Sequence, residues 1–301
     1  MNSYGGFSLS NLAIKLLTAA LALVTAGAAT LASADPRDAP GNSAFLALGD
    51  SVVFGYIAHA GHAYVNANNF VGYPEYVGRE LRLNTANAAC PGETTSSFIS
   101  STGADNGCRD FRKVAPLHVG YTSTQLNFAT SFLATHKQTR LVTISLGAND
   151  GFLLLDRCAL NPSPYPTFDQ CVQAGLPGLQ ATIGSNMNAI LANLRATGFR
   201  GVLMVVNYYS VDYTDPVQTF LTALLNQTLA AVAQANGAVV ADAFTAFQAA
   251  AAAAGGRTCF VGLLNASPQD QSQCDDHPSQ SGQQLLAGTV EATYQAARPG
   301  N

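Results

Sequence analysis

Short apolar runs alternate along the chain with longer segments in which apolar residues recur at helical spacing. The apolar runs are bounded by turn residues and predict buried strands at residues 45–48, 141–146, 202–206 and 238–240, with a weaker one near 86–89. The segments between and after them predict helices at residues 73–83, 122–135, 179–196, 216–235, 243–254 and 279–296. Strands and helices that alternate in this way are typical of βαβ units. We therefore expect an α/β protein with a central parallel sheet and helices on both faces.

Two long segments, residues 91–121 and 151–178, lack a clear periodic pattern, and each follows a predicted strand. Loops of this length inside a compact domain are usually functional. Because chemistry in open α/β sheets collects at the carboxyl ends of the strands, we expect these loops to surround that edge.

The N-terminal segment has the pattern of an export signal. Lys15 precedes an apolar run at residues 16–31, and Ala32-Ser33-Ala34 follows it as a cleavage site. We expect residues 1–34 to be a signal peptide and residues 35–301 to form a single secreted domain without a stable membrane anchor. An uncleaved anchor is the alternative, but the run is shorter than the roughly 20 residues of a spanning helix.

Charge in the 301-residue chain is low and dispersed. Lys and Arg total 14 against 18 Asp and Glu, and the basic residues are scattered. A nucleic-acid-binding protein usually shows a basic patch or stripe, so we expect no nucleic-acid partner. Charged residues make up 11% of the chain and hydrophobic ones 48%, a balance that suits a secreted protein.

Six cysteines follow the export signal, and that combination favours disulfides over metal or redox sites. Each of three successive pairs lies within one predicted loop region, which favours sequential pairing; a crossed pattern or free thiols are the alternatives. The expected disulfides are Cys90 with Cys108, Cys158 with Cys171, and Cys259 with Cys274.

The first predicted strand delivers Ser51 to its carboxyl end, where a serine is a candidate nucleophile. A serine needs a nearby base to accept its proton and donors to hold the developing oxyanion. His277 stands just before the last predicted helix and is the one histidine in a catalytic-looking neighbourhood. His59 and His62 lack carboxylate or cysteine partners at ligand spacing, so no metal site is expected.

Four segments in order along the chain resemble the Ser, Gly, Asn and His blocks of the GDSL or SGNH hydrolases. They are residues 49–51 (Gly-Asp-Ser), 87–95 (Asn-Ala-Ala-Cys-Pro-Gly-Glu-Thr-Thr), 147–150 (Gly-Ala-Asn-Asp) and 275–278 (Asp-Asp-His-Pro). The resemblance implies a flavodoxin-like, three-layer α/β/α fold with no cofactor or metal. It also implies Ser51 as nucleophile and His277 as base, with the backbone N–H groups of Ser51 and Gly92 and the side-chain amide of Asn149 forming the oxyanion hole.

The His block departs from the family pattern at one position. The acid of the triad usually stands three residues before the histidine, and Cys274 occupies that position here. Either a shifted loop brings Asp275 to the imidazole, or a main-chain carbonyl orients the ring. We assign Asp275 as the expected acid.

The resemblance implies an ester hydrolase acting on a small-molecule or lipid ester, of the lipase or esterase type. A carbohydrate O-acetylesterase of the same fold is the nearest alternative, although Trp, a common sugar platform, is absent. A non-catalytic binding or adhesion module is the second alternative. An apolar cluster at residues 152–155 either lines the acyl side of the site or packs beneath the loop.

Overall fold

The computed structural model describes residues 43–267 and 273–298. The predicted signal peptide therefore lies outside the described residues. None of the helices in the described part of the chain is both long and apolar enough to cross a membrane.

A parallel five-stranded sheet forms the centre of the described domain, with the strands in the order β2-β1-β3-β4-β5. The strands are β1 (Ala44–Gly49), β2 (Asn84–Asn87), β3 (Thr139–Ser145), β4 (Val202–Val206) and β5 (Val239–Ala241). Strands β1 and β3 are almost wholly buried because both faces of the sheet are covered, which explains their continuous apolar sequences. This strand order is the flavodoxin-like one, and the predicted α/β fold class is confirmed.

Helices cover the sheet in two groups. In chain order, the α-helices of the described residues are α1 (Ser51–Phe54), α2 (Tyr73–Leu81), α3 (Thr95–Ile99), α4 (Cys108–Val114), α5 (Gln125–Thr135), α6 (Ala148–Leu160), α7 (Phe168–Ala196), α8 (Pro216–Ala235), α9 (Ala243–Ala251) and α10 (Gln280–Ala297). Helix α10 packs on α2 and α9, whereas α7 packs on α5, α6 and α8. Right-handed crossovers place the two groups on opposite faces, because the chain reverses direction across the sheet after β2.

The prediction of a long loop at residues 151–178 is wrong. Most of this segment is helical, and residues 161–167 form a short connection between α6 and α7. The helices meet in a small second core around Leu154 and Val172, next to the Cys158–Cys171 disulfide. Pro177 and the glycines around it obscure the helical pattern, because proline is unfavourable inside an isolated helix and is tolerated here within tertiary packing. The predicted loop at residues 91–121 likewise contains α3 and α4.

A two-stranded antiparallel ribbon outside the main sheet carries the His block. Its strands are β6 (Leu264–Ala266) and β7 (Cys274–Pro278), and the Cys259–Cys274 disulfide ties β7 to the segment before β6. The sequence Cys-Asp-Asp-His-Pro has no strand-forming pattern, so the ribbon is absent from the sequence prediction. The third disulfide joins Cys90 to Cys108, so all three disulfides have the sequential pairing.

Candidate active site

Ser51 lies immediately beyond the carboxyl end of β1, as the first residue of α1. The side chain of Asp50 caps this helix by accepting a hydrogen bond from the Val52 N–H at 3.0 Å. Gly49 has a φ of 141°, and a Cβ there would lie 2.1 Å from the Ser145 carbonyl oxygen, so only glycine fits the turn. The turn therefore presents the Ser51 hydroxyl at the sheet edge in one fixed position.

A buried amide also holds this turn. Gln125 accepts a hydrogen bond from the Gly49 N–H at 2.6 Å and donates one to the Gly49 carbonyl oxygen at 3.0 Å. The sequence analysis missed this residue, because a glutamine at the start of an amphipathic helix carries no distinguishing signal.

His277 lies on β7 with its imidazole directed at Ser51. Its Nε2 atom is 3.0 Å from the Ser51 Oγ, which is a hydrogen-bonding distance. The ring of Tyr56 packs against the imidazole, with ring centroids 4.8 Å apart. The hydroxyl of Tyr209 donates to the backbone carbonyl of Asp276 at 2.5 Å, which anchors β7 against the main sheet. Residues 226 positions apart in sequence are thus brought into contact.

Two carboxylates face the Nδ1 atom of His277. Asp276 Oδ1 lies 3.1 Å from Nδ1 and Asp275 Oδ1 lies 3.6 Å from it. Asp275 Oδ1 also accepts a hydrogen bond from the backbone N–H of His277 at 2.8 Å. Within the described chain, Nδ1 and Asp275 Oδ2 are buried and neither has a partner with hydrogen-bond geometry. The expected acid is therefore near the ring, and the neighbouring Asp276, which the sequence analysis left unassigned, is nearer.

Burial and charge act in opposite directions on the imidazole. Burial lowers the pKa of His277, but the carboxylates of Asp275 and Asp276 together with Asp50 outweigh that effect, so its pKa is raised above the ordinary value. Asp50 is almost fully buried, and burial raises its pKa to about 6 despite a 2.6 Å hydrogen bond from the hydroxyl of Tyr208. Asp50 accepts hydrogen bonds from the Val52 N–H and the Tyr208 hydroxyl.

Of the predicted oxyanion residues besides Ser51, Gly92 lies on the loop after β2 and Asn149 lies on α6, which follows β3. Asn149 is buried in the first turn of α6, and its Nδ2 atom lies 3.5 Å from Asp50 Oδ2. Gly92 has a φ of 83°, and a Cβ there would lie 2.4 Å from the carbonyl oxygen of Asn106. Asp150 accepts hydrogen bonds from the Thr95 backbone N–H and hydroxyl, at 2.9 Å and 2.6 Å. The Gly and Asn blocks are therefore joined directly.

A cavity of about 260 Å³ opens beside Ser51 and His277 and extends between α6, α7 and α8. Its walls are mainly aliphatic and aromatic, and they include Phe152, Leu154, Leu155, Leu176, Ile183, Leu221 and Leu225. The apolar cluster that follows Asn149 thus forms part of the wall, through Phe152, Leu154 and Leu155. Leu154 also packs in the second core, so both sequence interpretations of the cluster apply to it.

Two clusters bring ligand-type side chains close together in the described part of the chain. Cys90, Glu93 and Cys108 form one, but both sulfurs belong to a disulfide and are not thiolates. Asp275, Asp276 and His277 form the other, within 4.8 Å of one another. In this second cluster the carboxylates surround Nδ1 while Nε2 contacts the serine, which is the arrangement that orients a catalytic imidazole.

Comparisons with known proteins give a family match and a shared fold. The model of the GDSL-like Lipase/Acylhydrolase family matches residues 47–285. A crystal structure of LAE5, an alpha/beta hydrolase enzyme from the metagenome of Lake Arreo, Spain, is similar at TM-score 0.54 and 15% identity, covering 87% of this chain and 99% of that one. Phospholipase A1 from Streptomyces albidoflavus NA297 is similar at TM-score 0.52 and 18% identity, covering 84% and 99%. No curated protein matches the sequence.

At these identities the two structures show a shared fold, while the family match covers more than half of the chain and includes Ser51, Gly92, Asn149 and His277. The chain therefore belongs to the GDSL-like lipase/acylhydrolase family, and its chemistry is ester hydrolysis.

Proposed function

We propose that this protein is a secreted serine hydrolase that cleaves carboxylic esters through an acyl-enzyme on Ser51, with His277 as general base. The observation that carries the proposal is the 3.0 Å contact between Ser51 Oγ and His277 Nε2 at the carboxyl end of β1. Secretion is supported by the export-signal pattern of residues 1–34 together with the three disulfides.

The reaction proceeds in two halves. His277 Nε2 accepts the hydroxyl proton as Ser51 Oγ attacks the ester carbonyl carbon, and the carbonyl oxygen becomes an oxyanion held by Ser51 N–H, Gly92 N–H and Asn149 Nδ2. The imidazolium then gives its proton to the leaving alkoxide, which departs as the alcohol. Water, deprotonated by His277, attacks the acyl-enzyme, and the serine regains its proton as the acid is released.

Asp275 and Asp276 together orient the imidazole and stabilise its charged form. Both carboxylates lie within 3.6 Å of Nδ1, and an adjacent carboxylate favours the imidazolium that forms during attack. Cys274 occupies the usual position of the acid, and the ribbon turns the next two side chains toward the ring instead.

The acyl group occupies the apolar cavity between α6, α7 and α8. Each substrate methylene buried there gains up to about 0.8 kcal/mol, so medium or long acyl chains are favoured over acetate. A lipase or esterase activity is therefore preferred to carbohydrate O-acetylesterase activity, since an acetyl group would leave most of this 260 Å³ cavity unfilled.

A series of p-nitrophenyl esters from acetate to palmitate, assayed beside an acetylated polysaccharide, tests the proposal. We expect kcat/KM to be larger for octanoate than for acetate in the wild-type protein. Leu154→Asp should remove that preference while retaining acetate hydrolysis, which also reports an intact fold. Leu160→Asp is the matched control, because Leu160 lies on the same helix, is 87% exposed and does not line the cavity. A wild-type preference for acetate or for the polysaccharide would contradict the lipase assignment.

A further inference from the structure

Asn106 contacts both loops that carry predicted oxyanion donors. Its backbone N–H donates to the Gly92 carbonyl oxygen at 3.0 Å, and its side-chain Nδ2 donates to Asn149 Oδ1 at 2.8 Å. It lies two residues before Cys108, whose disulfide to Cys90 closes the loop that contains Gly92. One residue therefore connects the Gly block to the Asn block.

The direction of the amide contact determines which end of Asn149 faces the substrate. A primary amide has one acceptor end and one donor end. Asn106 Nδ2 donates to Asn149 Oδ1, so the Nδ2 end of Asn149 lies on the other side, with one hydrogen for Asp50 Oδ2 and a second for the cavity. The carboxylate of Asp50, 3.5 Å from Asn149 Nδ2, requires the same orientation because it accepts hydrogen bonds. The reverse orientation would place an amide oxygen against the oxyanion and would oppose its formation.

The backbone of Asn106 is fixed by contacts that do not depend on its side chain. A Cβ on Gly92 would lie 2.4 Å from the Asn106 carbonyl oxygen and 2.8 Å from the Cys108 nitrogen, so the two segments are in close contact. Asp105 Oδ1 accepts from the Cys108 N–H at 3.0 Å and holds the following turn. A substitution at position 106 is therefore expected to change the amide contact with little effect on the loop.

We propose that Asn106 is a positioning residue for the oxyanion hole, which holds the Asn149 amide with Nδ2 toward the developing oxyanion through a side-chain hydrogen bond. The inference rests on the proposed function, because it gives Asn106 a role only through the donor Asn149. It predicts an effect on turnover and not on substrate binding, since the oxyanion forms only after attack begins.

A double-mutant cycle between Asn106 and Asn149 is the test. Loss of a whole oxyanion donor lowers kcat by about 10²–10³-fold, so loss of its orienting partner should lower it by about 10- to 100-fold. We expect Asn106→Ala to lower kcat for p-nitrophenyl octanoate by that factor, with KM changed less than about twofold. In the Asn149→Ala background, Asn106→Ala should change kcat by less than about twofold, because the amide it orients is gone. Equal effects in the two backgrounds would overturn the proposal.

Two further variants separate orientation from folding. Asn106→Asp keeps the size of the side chain but offers only an acceptor at neutral pH, so it should lower kcat at least as much as Asn106→Ala; turnover within about twofold of wild type would contradict the proposal. Asn236→Ala is the matched control. Asn236 Nδ2 donates to Asn188 Oδ1 at 2.9 Å, so the two residues form an amide pair of the same kind. Asn236 lies at the end of α8, just before β5 begins, and is therefore away from the carboxyl edge of the sheet. Asn236→Ala should leave kcat unchanged.

Ser51→Ala, assayed in parallel, distinguishes the two levels of inference. If Ser51→Ala abolishes turnover while Asn106→Ala does not lower it, only the role of Asn106 is wrong. If Ser51→Ala retains turnover, the proposed function itself is wrong.

Discussion

The two halves of the candidate site are built in different ways. Ser51, Gly92 and Asn149 follow β1, β2 and β3 of the central sheet, and side-chain and backbone hydrogen bonds join their loops to one another. His277 instead belongs to a two-stranded ribbon outside that sheet, which the Cys259–Cys274 disulfide closes and the Tyr209 hydroxyl joins to the sheet side.

This difference separates a half that is built on the edge of the central sheet from a half that is held on a ribbon outside it; a disulfide closes a loop in each half. On the nucleophile side, the proposed oxyanion donors follow the ends of β1, β2 and β3, so we expect the sheet edge to hold them in place before the reaction. On the base side, the His277 Nδ1 and Asp275 Oδ2 atoms are buried without a hydrogen-bond partner in the described chain, so the imidazole is oriented mainly by charge and by the ribbon. The base half is therefore expected to be the more sensitive to local disruption.

Removing either reacting side chain should have the largest effect. Ser51→Ala and His277→Ala should each lower kcat by at least about 10³-fold, the scale expected for triad members, because proton transfer and nucleophilic attack depend on each other. Steady-state kinetics measure the loss, and circular dichroism with thermal melting checks the fold. Near-wild-type turnover in either folded variant would contradict the assignment of that residue.

Neutralising the two carboxylates should have the next largest effect. Asp275→Asn with Asp276→Asn together should lower kcat by about 100-fold, since the two carboxylates that face Nδ1 then no longer stabilise the His277 imidazolium. Each single substitution should cost less, because the remaining carboxylate still faces Nδ1. If the double variant loses less than about tenfold, roughly 1.4 kcal/mol in the barrier, the two carboxylates are not what orients the ring.

Removing the Cys259–Cys274 disulfide should affect the base half selectively. Cys259→Ser with Cys274→Ser should lower kcat for acetate by about tenfold and destabilise the fold by about 2–4 kcal/mol. Cys158→Ser with Cys171→Ser should lower the free energy of unfolding by a similar amount but should lower kcat for acetate less. That disulfide joins α6 to α7 at the acyl cavity and is not part of the ribbon that carries His277. Chemical denaturation and kinetics on both variants measure the contrast. Equal losses of turnover would remove the distinction between the two halves.

The acid limb of the pH profile should show the smallest but most specific effect. His277 must be neutral to act as base, and its raised pKa means that activity is present above that pKa and is lost as the pH falls through it. The midpoint in kcat/KM should therefore lie above the ordinary imidazole value of about 6.5. Asp275→Asn with Asp276→Asn should move it to lower pH. A profile flat down to about pH 4 would exclude histidine as the base.

The strands and the nucleophile half follow closely from the sequence, because buried parallel strands are continuous apolar runs and place Ser51 and Asn149 at one edge. The helices in residues 151–178 do not follow from the sequence. They are stabilised by tertiary packing and by the Cys158–Cys171 disulfide, although Pro177 disfavours a helix.

The ribbon that carries His277 is also beyond sequence reasoning. Its strand pairing is not signalled by the sequence, because its residues have no strand pattern. The backbone geometry decides whether Asp275 or Asp276 is nearer to Nδ1, and a shift of one residue in the pairing would reverse the order. Gln125 and Asn106 act through contacts with residues far away in sequence, so no local pattern reveals them.

Covalent labelling tests whether Ser51 is the nucleophile. The wild-type protein would be incubated with a fluorophosphonate, digested and analysed by mass spectrometry, with Ser51→Ala and His277→Ala treated in parallel. We expect one adduct, on the peptide that contains Ser51. It should be absent from Ser51→Ala and should form far more slowly in His277→Ala. Ester hydrolysis with no adduct at Ser51, or an adduct on another residue that abolishes activity, would contradict it.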